Sequence, residues 1–351
     1  MSPLTFNPAQ TGAFSGTVRL SGHFRGQWLG TGQYTTPAFS ADAPVIRGFR
    51  DNDWIGGGIN FYGDTAGPAG LKTTGGGLNA AYHFGFDKNY SQVFSIGIKY
   101  GRISRRINNF TEFRVRNGDL TSLIDIRDQN SSIRDQINPD ELGVAGGSGA
   151  DYAIGFLYKS TPDKTSSYEI GFSVDHITSP GASFLMGNAN QGGGVIGPAC
   201  MADPQSVECQ QERQQMVRFQ TQENRNIRFT GTAGMTNYIN DKLRISPGAM
   251  IQFTQQGFEA QAHAIAGYLI DPKKGIVVNG GLGVRAIGLA DLQFFFGVEM
   301  KDIKVGAAFD LGALGFQQAP GIQNAFEIGA TYIIKVYKDP DVDPVIFCPR
   351  F

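Results

Sequence analysis

The chain has 351 residues, a formal net charge of −1, 17% charged residues, 11% aromatic residues and 48 glycines. A near-zero balance without a long basic tract excludes a phosphate-reading surface, and with it a nucleic-acid partner. No uninterrupted run of about eighteen apolar residues occurs, so a membrane helix is excluded and a bilayer-spanning form must be a closed β-barrel.

The opening Met1-Ser2-Pro3-Leu4-Thr5-Phe6 lacks the basic segment and apolar core of a secretory signal, so the numbering is expected to start at or near a mature end. The first strand is predicted over 13–28. There Phe14, Gly16, Val18, Leu20, Gly22, Phe24, Gly26 and Trp28 alternate with Ala13, Ser15, Thr17, Arg19, Ser21, His23, Arg25 and Gln27. Successive strand side chains point to opposite faces, which gives one apolar wall and one polar, cationic wall. Further strands are predicted over 34–43, 53–64, 71–86 and 91–105, the last dividing Phe94, Ile96, Ile98 and Tyr100 from Ser95, Gly97 and Lys99. A long connection at 106–149 follows. The alternation resumes over 150–160 and 166–178, where Tyr168, Ile170, Phe172 and Val174 oppose Glu169, Ser173 and Asp175. After a second long connection at 179–225, strands are predicted over 226–238, 242–254, 256–270, 275–288, 289–300, 302–312 and 322–336. In the last of these Phe326, Ile328, Ala330, Tyr332 and Ile334 oppose Glu327, Thr331 and Lys335.

These segments run mostly to roughly ten to fifteen residues, against about five or six for a strand in a soluble protein. Trp28, Trp54, Tyr62, Tyr158 and Tyr268 stand near segment ends, where an interfacial aromatic girdle would place them. A soluble sandwich would turn the apolar set to a core; an outer-membrane barrel turns it to lipid and the polar set to a lumen. The expected fold is therefore all-β, a transmembrane outer-membrane β-barrel of about 14 antiparallel strands with both termini periplasmic. Both long connections then follow odd strands and face outward. Even strands end in tight turns such as Asp87-Lys88-Asn89, Thr161 to Lys164, Asn240-Asp241 and Asp271 to Lys274. Residues 1–336 make up the barrel and residues 337–351 a Pro-rich periplasmic tail.

On the lumen face the pattern places Arg19, Arg25, Lys99, Glu259, Arg285, Glu299, Lys304, Asp310 and Glu327. Mixed signs suit a salt-bridged, filled interior, and they equally suit the solute-selecting wall of a porin or small-molecule transporter. His23, His83, His176 and His263 fall on separate strands without metal-ligand spacing, and no nucleophile motif accompanies them. No catalytic residue, cofactor or metal site is assigned. Segment 106–149 carries alternating charge, including Arg114, Arg116, Asp125, Arg127, Asp128, Arg134, Asp135, Asp140 and Glu141. It can fold inward as a plug, outward as a contact surface, or simply be solvated. Segment 179–225 holds Cys200 and Cys209, close enough to form a disulfide, and its Gly192-Gly193-Gly194 lacks the Lys-Ser/Thr of a phosphate cradle. It reads either as a partner-binding surface or as a disulfide-pinned surface loop. The tail sets Asp339, Asp341 and Asp343 between Pro340 and Pro344 without the Gly and terminal Glu of a calcium loop. An extended docking peptide fits that composition.

Four short motifs lie along the chain: Asn7-Pro8-Ala9, Arg25-Gly26-Gln27-Trp28, Gly171-Phe172-Ser173-Val174-Asp175-His176-Ile177, and the closing Cys348-Pro349-Arg350-Phe351. In order and spacing the chain resembles the PorP/SprF family of outer-membrane proteins of type IX secretion and gliding motility. The two long connections match no family pattern. The resemblance implies a non-enzymatic component in the outer membrane of a Gram-negative bacterium, in contact with periplasmic ring and motor components. It further implies binding of a secreted protein or adhesin through its C-terminal sorting domain. Asn7, Pro8, Cys348, Pro349, Arg350 and Phe351 are the expected partner-binding residues, and outer-membrane lipid is the expected surround.

Overall fold

The computed structural model describes residues 3–27, 34–50, 52–66, 71–87, 89–107, 147–180, 225–255, 257–287, 289–312 and 324–336. Among the described residues fourteen strands form: β1 (Val18–Gln27), β2 (Tyr34–Arg50), β3 (Asp53–Ala66), β4 (Leu71–Gly85), β5 (Gln92–Ile107), β6 (Gly147–Ser160) and β7 (Ser166–Asp175) come first. They are followed by β8 (Arg228–Tyr238), β9 (Leu243–Thr254), β10 (Gly257–Asp271), β11 (Ile276–Ile287), β12 (Leu289–Met300), β13 (Ile303–Leu311) and β14 (Asn324–Ile334). Each strand pairs antiparallel with its neighbours in sequence. β1 closes the ring on β14, from Val18 opposite Ile334 to Gln27 opposite Ala325. Closure leaves no sheet edge, the condition for placing strands in hydrocarbon.

Burial has the opposite sense to that of a soluble sandwich. The wall turns Phe39, Phe61, Leu78, Ile98, Phe172, Ile251, Leu282, Phe296 and Ile328 outward and exposed. The same strands bury Ser40, Asn60, Asn79, Lys99, Ser173 and Gln293. In water so large an apolar surface would be costly; in lipid it is the matched surface. Aromatic rings collect toward both ends of this belt. Tyr82 and Phe84 lie 4.5 Å apart, with Phe94 and Phe156 continuing the row near the ends of β4 to β6 that carry the short turns. Tyr100 and Tyr152 pair at 5.2 Å toward the other end. The barrel's first strand starts and its last strand ends at the short-turn, periplasmic end. The connections between β5 and β6 and between β7 and β8 leave from the outer end.

The strand number and the odd-even pattern of connections match the expectation, and four details differ. β1 begins at Val18, not at residue 13, because the chain ahead of it folds into the lumen through two turns: a short helix α1 (Pro3–Phe6) and a 3-10 turn at Pro8–Gln10. β2 runs on to Arg50, with irregular pairing between Pro44 and Ile46 and between Arg47 and Arg50. Pro44 has no N–H to donate and Gly48 has φ +75°, so both disrupt the ladder locally. The seventh strand stops at Asp175, since His176 takes φ 59°. Trp54 and Tyr62 share the inward register of Asn60, and Trp54 is only 3% exposed, so neither belongs to a lipid-facing girdle. Tyr158 and Tyr268 do face outward. Trp28, Cys200, Cys209, Cys348, Pro349, Arg350 and Phe351 lie outside the described residues, as do most of the two long connections and the tail.

Candidate functional site

The lumen is organised by the chain's own N-terminal segment. Asn7 is extended and caps the 3-10 turn: its Oδ1 accepts from Ala9 N at 2.9 Å, and Pro8 opens the turn where a missing N–H costs nothing. Gly12, with φ +73°, then redirects the chain toward β1. The segment crosses the inner wall against chain order, touching one strand after another. Arg228 of β8 donates to Thr5 O (3.4 Å), Ser173 of β7 to Phe6 O (2.5 Å), and Asn7 Nδ2 donates to Phe156 O of β6 (2.9 Å). His83 Nε2 of β4 donates to Thr11 O (2.8 Å) and Trp54 Nε1 of β3 to Gly12 O (3.0 Å). Gly12 N donates to Asp42 Oδ2 of β2 (2.7 Å), and Arg19 of β1 pairs with the same carboxylate while donating to Gln10 O (2.9 Å).

The wall is cut away to admit this plug. A Cβ at Gly97 of β5 would lie 2.3 Å from Pro8 C, and one at Gly155 of β6 would lie 2.0 Å from Asn7 Oδ1. Trp54 and His83 stack at 4.4 Å beneath it. Leu4, Ala9 and Thr11 are buried, and Ala9 and Ala13 pack with Leu157. Lys159 anchors the exit of the segment, donating to Ala13 O at 3.4 Å while pairing with Glu169 at 2.9 Å; Gln10 donates to the same Glu169.

Charged lumen residues gather in three clusters. Toward the outer end of β10, β11, β13, β14 and β1, Arg285 pairs with Asp310 (2.6 Å), Glu259 (3.3 Å) and Glu327 (3.5 Å). Arg25 pairs with Glu327 and with Asp310 (3.2 Å), His23 meets Glu327 at 3.0 Å, and Gln293 donates to Asp310 at 3.0 Å. Across the barrel, Lys99 of β5 pairs with Asp151 (3.0 Å) and Asp175 (3.4 Å), and Arg228 with Asp175 (3.2 Å). His176 meets Asp151 at 2.8 Å and receives Arg225 Nε on its other nitrogen at 3.2 Å, which stitches the base of the β7–β8 connection. At the periplasmic end Glu299 joins Arg244 and Lys304. Charges removed from water hold their place only when paired in this way.

Beside the plug the lumen stays hollow. A cavity of about 940 Å³ reaches from the periplasmic turn at Thr161 to Lys164, past Gln10 and Ala13, to Met250, His263, Phe295 and the outer cluster at Arg285 and Glu327. A second, of about 670 Å³, lies between Phe14, Arg19 and His23 on one side and Arg244 and Glu299 on the other. In the periplasmic turn itself, Asp163 Oδ1 accepts from Thr165 Oγ1 (2.7 Å), Thr165 N (2.7 Å) and Ser166 N (2.6 Å). These bonds, that from the Thr165 hydroxyl first, hold its carboxyl below the ordinary carboxylate range. Among the described residues no group of three or more His, Cys, Asp or Glu could hold a metal ion.

The structure thus puts Arg19, Arg25, Lys99, Arg285, Glu299 and Glu327 on the inward face, each in an ion pair. Asn7 and Pro8 are inside as well, buried against β5, β6 and β7. Sequence reasoning missed the plug and its seat. Its traces were Pro3, Asn7-Pro8 and Gly12 ahead of the first regular alternation, and glycines on the polar side of β5 to β7, where close backbone approach calls for no side chain.

A closed barrel with an apolar outer belt, aromatic rows at both ends of it and a polar, self-plugged lumen is an integral outer-membrane protein. Within that class the chain belongs to the family described as type IX secretion system membrane protein PorP/SprF, whose model matches residues 1–332. It is an outer-membrane component of type IX secretion.

Among solved structures it is similar to the toluene transporter TbuX of Ralstonia pickettii, at 12% identity and a TM-score of 0.49, over 94% of this chain and 93% of that one. It is also similar to the P. putida toluene transporter TodX, at 8% identity and a TM-score of 0.46, over 94% of each chain. Against the CymD monoaromatic hydrocarbon channel the values are 9% identity and a TM-score of 0.49, over 95% of this chain and 93% of that one. No match was found among curated proteins.

Proposed function

We propose that the protein is a non-enzymatic scaffold of the type IX secretion and gliding machinery. It binds a secreted surface protein or adhesin, helps to export or anchor it, and links it to periplasmic ring and motor components. The observation that carries this reading is the plug. Residues that would otherwise be free to line a water path are spent on holding Thr5 to Gly12 across the inner wall, which suits a rigid platform better than a general diffusion pore. Binding falls to surfaces at the two rims, with Cys348, Pro349, Arg350 and Phe351 on the periplasmic side and Asn7 and Pro8 setting the plug behind it.

Deleting residues 337–351 tests the periplasmic half of the proposal. The truncated barrel should insert and fold as before, since β14 ends at Ile334, while periplasmic proteins that co-purify with the full chain are lost. Unchanged co-purification would remove the tail from the docking role. The cavity of about 940 Å³ favours a second reading, an outer-membrane porin or small-molecule transporter. A steady open channel from the purified wild-type barrel in planar bilayers would favour that one.

A further inference from the structure

The plug lines only part of the inner wall, from β8 round to β1, and the remaining side holds the larger cavity. That cavity reaches the periplasmic turn at Thr161 to Lys164 and stops at Arg285, Gln293 and Glu327. At this outer limit of its lining, side chains bridge strands that are not neighbours. Adjacent strands are about 4.8 Å apart, so next-but-one strands are separated by roughly twice that. Asp310 on β13 nevertheless contacts Arg25 on β1 and Arg285 on β11, each two strands away. Arg285 continues to Glu327 three strands away on β14 and to Glu259 on β10. Two guanidinium groups and three carboxylates therefore form a chord near the outer ends of β10 to β14 and β1, with pairs between neighbouring strands at its two margins. The side chains of Arg285 and Asp310 are each only 4% exposed.

We infer that this chord is a closed gate and that the cavity beneath it is a latent path for small hydrophilic solutes, blind at its outer end and open to the periplasm. The path runs alongside the plug, with Phe6, Gln10 and Ala13 in its lining, and is independent of which partner the scaffold holds. Asp310 and Glu327 are the keystones, because each is a carboxylate shared by the two arginines. Without the charge of Asp310 the two guanidinium groups are bridged by Glu327 alone, and Glu259 remains at the margin on Arg285. With both carboxylates neutralised the chord loses the ion pairs that hold its two halves together.

The test is single-channel recording in planar bilayers, with release of a small hydrophilic dye from liposomes as a second readout. Wild type, Asp310→Asn and the double variant Asp310→Asn/Glu327→Gln are compared, each checked for heat-modifiable migration as a folded barrel. Wild type should be silent; the double variant should show discrete openings with a rise in open probability of about tenfold or more, and Asp310→Asn a smaller rise, since Glu327 still joins the two arginines there. Should the double variant fail to fold, Glu259→Gln removes an outlying contact of Arg285 and should give the same effect in weaker form. Folded variants as silent as wild type would overturn the gate. So would a wild type that conducts as the variants do, and that outcome would also count against the scaffold reading. Silence in folded variants leaves the scaffold reading standing.

Discussion

At Asn7 a single side chain does two incompatible-looking jobs: Oδ1 accepts from Ala9 N to start the 3-10 turn, and Nδ2 donates to Phe156 O to hold that turn on β6. Only an amide supplies an acceptor and a donor at that spacing, and the missing Cβ of Gly155 makes room for it. Asn7→Ala should lower stability by about 1–2 kcal/mol, the usual cost of a lost cap plus a buried hydrogen bond. Asn7→Asp should cost more, although it keeps the acceptor, because it turns a carboxylate oxygen toward the Phe156 carbonyl. Urea midpoints of the two variants, read by heat-modifiable migration, check the order; Asp equal to or better than Ala would contradict the assigned geometry. Residue 7 was visible in the sequence as part of a motif, but its burial was not. Residues 13 to 17 continue the alternation of β1, and period two alone does not say where a strand stops and an inward turn begins.

Elements were the most legible level. Alternation located all fourteen strands, because a wall between lipid and a polar lumen imposes period two on every one of them. Faces assigned by parity agree with the structure, as in Phe94 to Tyr100 against Ser95 to Lys99. Trp54 and Tyr62 were assigned by nearness to a strand end, and there parity, which groups them with Asn60, was the better guide. Turns were readable from Asp and Asn, and the β6–β7 turn shows why: three donors converge on Asp163. Since the folded carboxyl sits below its unfolded value, its contribution is present above the ordinary carboxylate pKa of about 3.9. It is lost as pH falls through the depressed folded value. Asp163→Asn keeps the acceptor oxygen but cannot titrate. The stability advantage of wild type over Asp163→Asn should therefore be constant above about pH 5 and shrink below about pH 3.9. Paired denaturation curves at pH 6 and pH 3 measure it, and a gap that widened toward pH 3 would show the linkage to have the wrong sign.

For the molecule as a whole, the question is whether the plug builds the barrel or only fills it. The fourteen pairings run from strand to strand without any plug residue in a ladder, and the closing seam between β1 and β14 begins at Val18, beyond the plug. The polar groups that hold the plug, including Asp42, His83, Trp54 and Ser173, face a lumen where water can take over their hydrogen bonds once the segment is gone. Each protein–protein bond exchanged for one with water changes stability by about 0.5–1.5 kcal/mol, so the loss accumulates without removing the reason for closure, which is the bilayer itself. Deleting residues 3–14 should therefore give a barrel that still inserts and keeps its far-ultraviolet circular dichroism, but unfolds at a clearly lower urea concentration. Gly97→Val, which places a branched side chain where Pro8 and Ala9 lie, should reproduce most of that shift and expose the N-terminal segment to protease. A deletion variant that fails to close would mean that the segment templates β2 to β8 during assembly. The glycines on the inner wall would then serve folding first and occupancy of the lumen second.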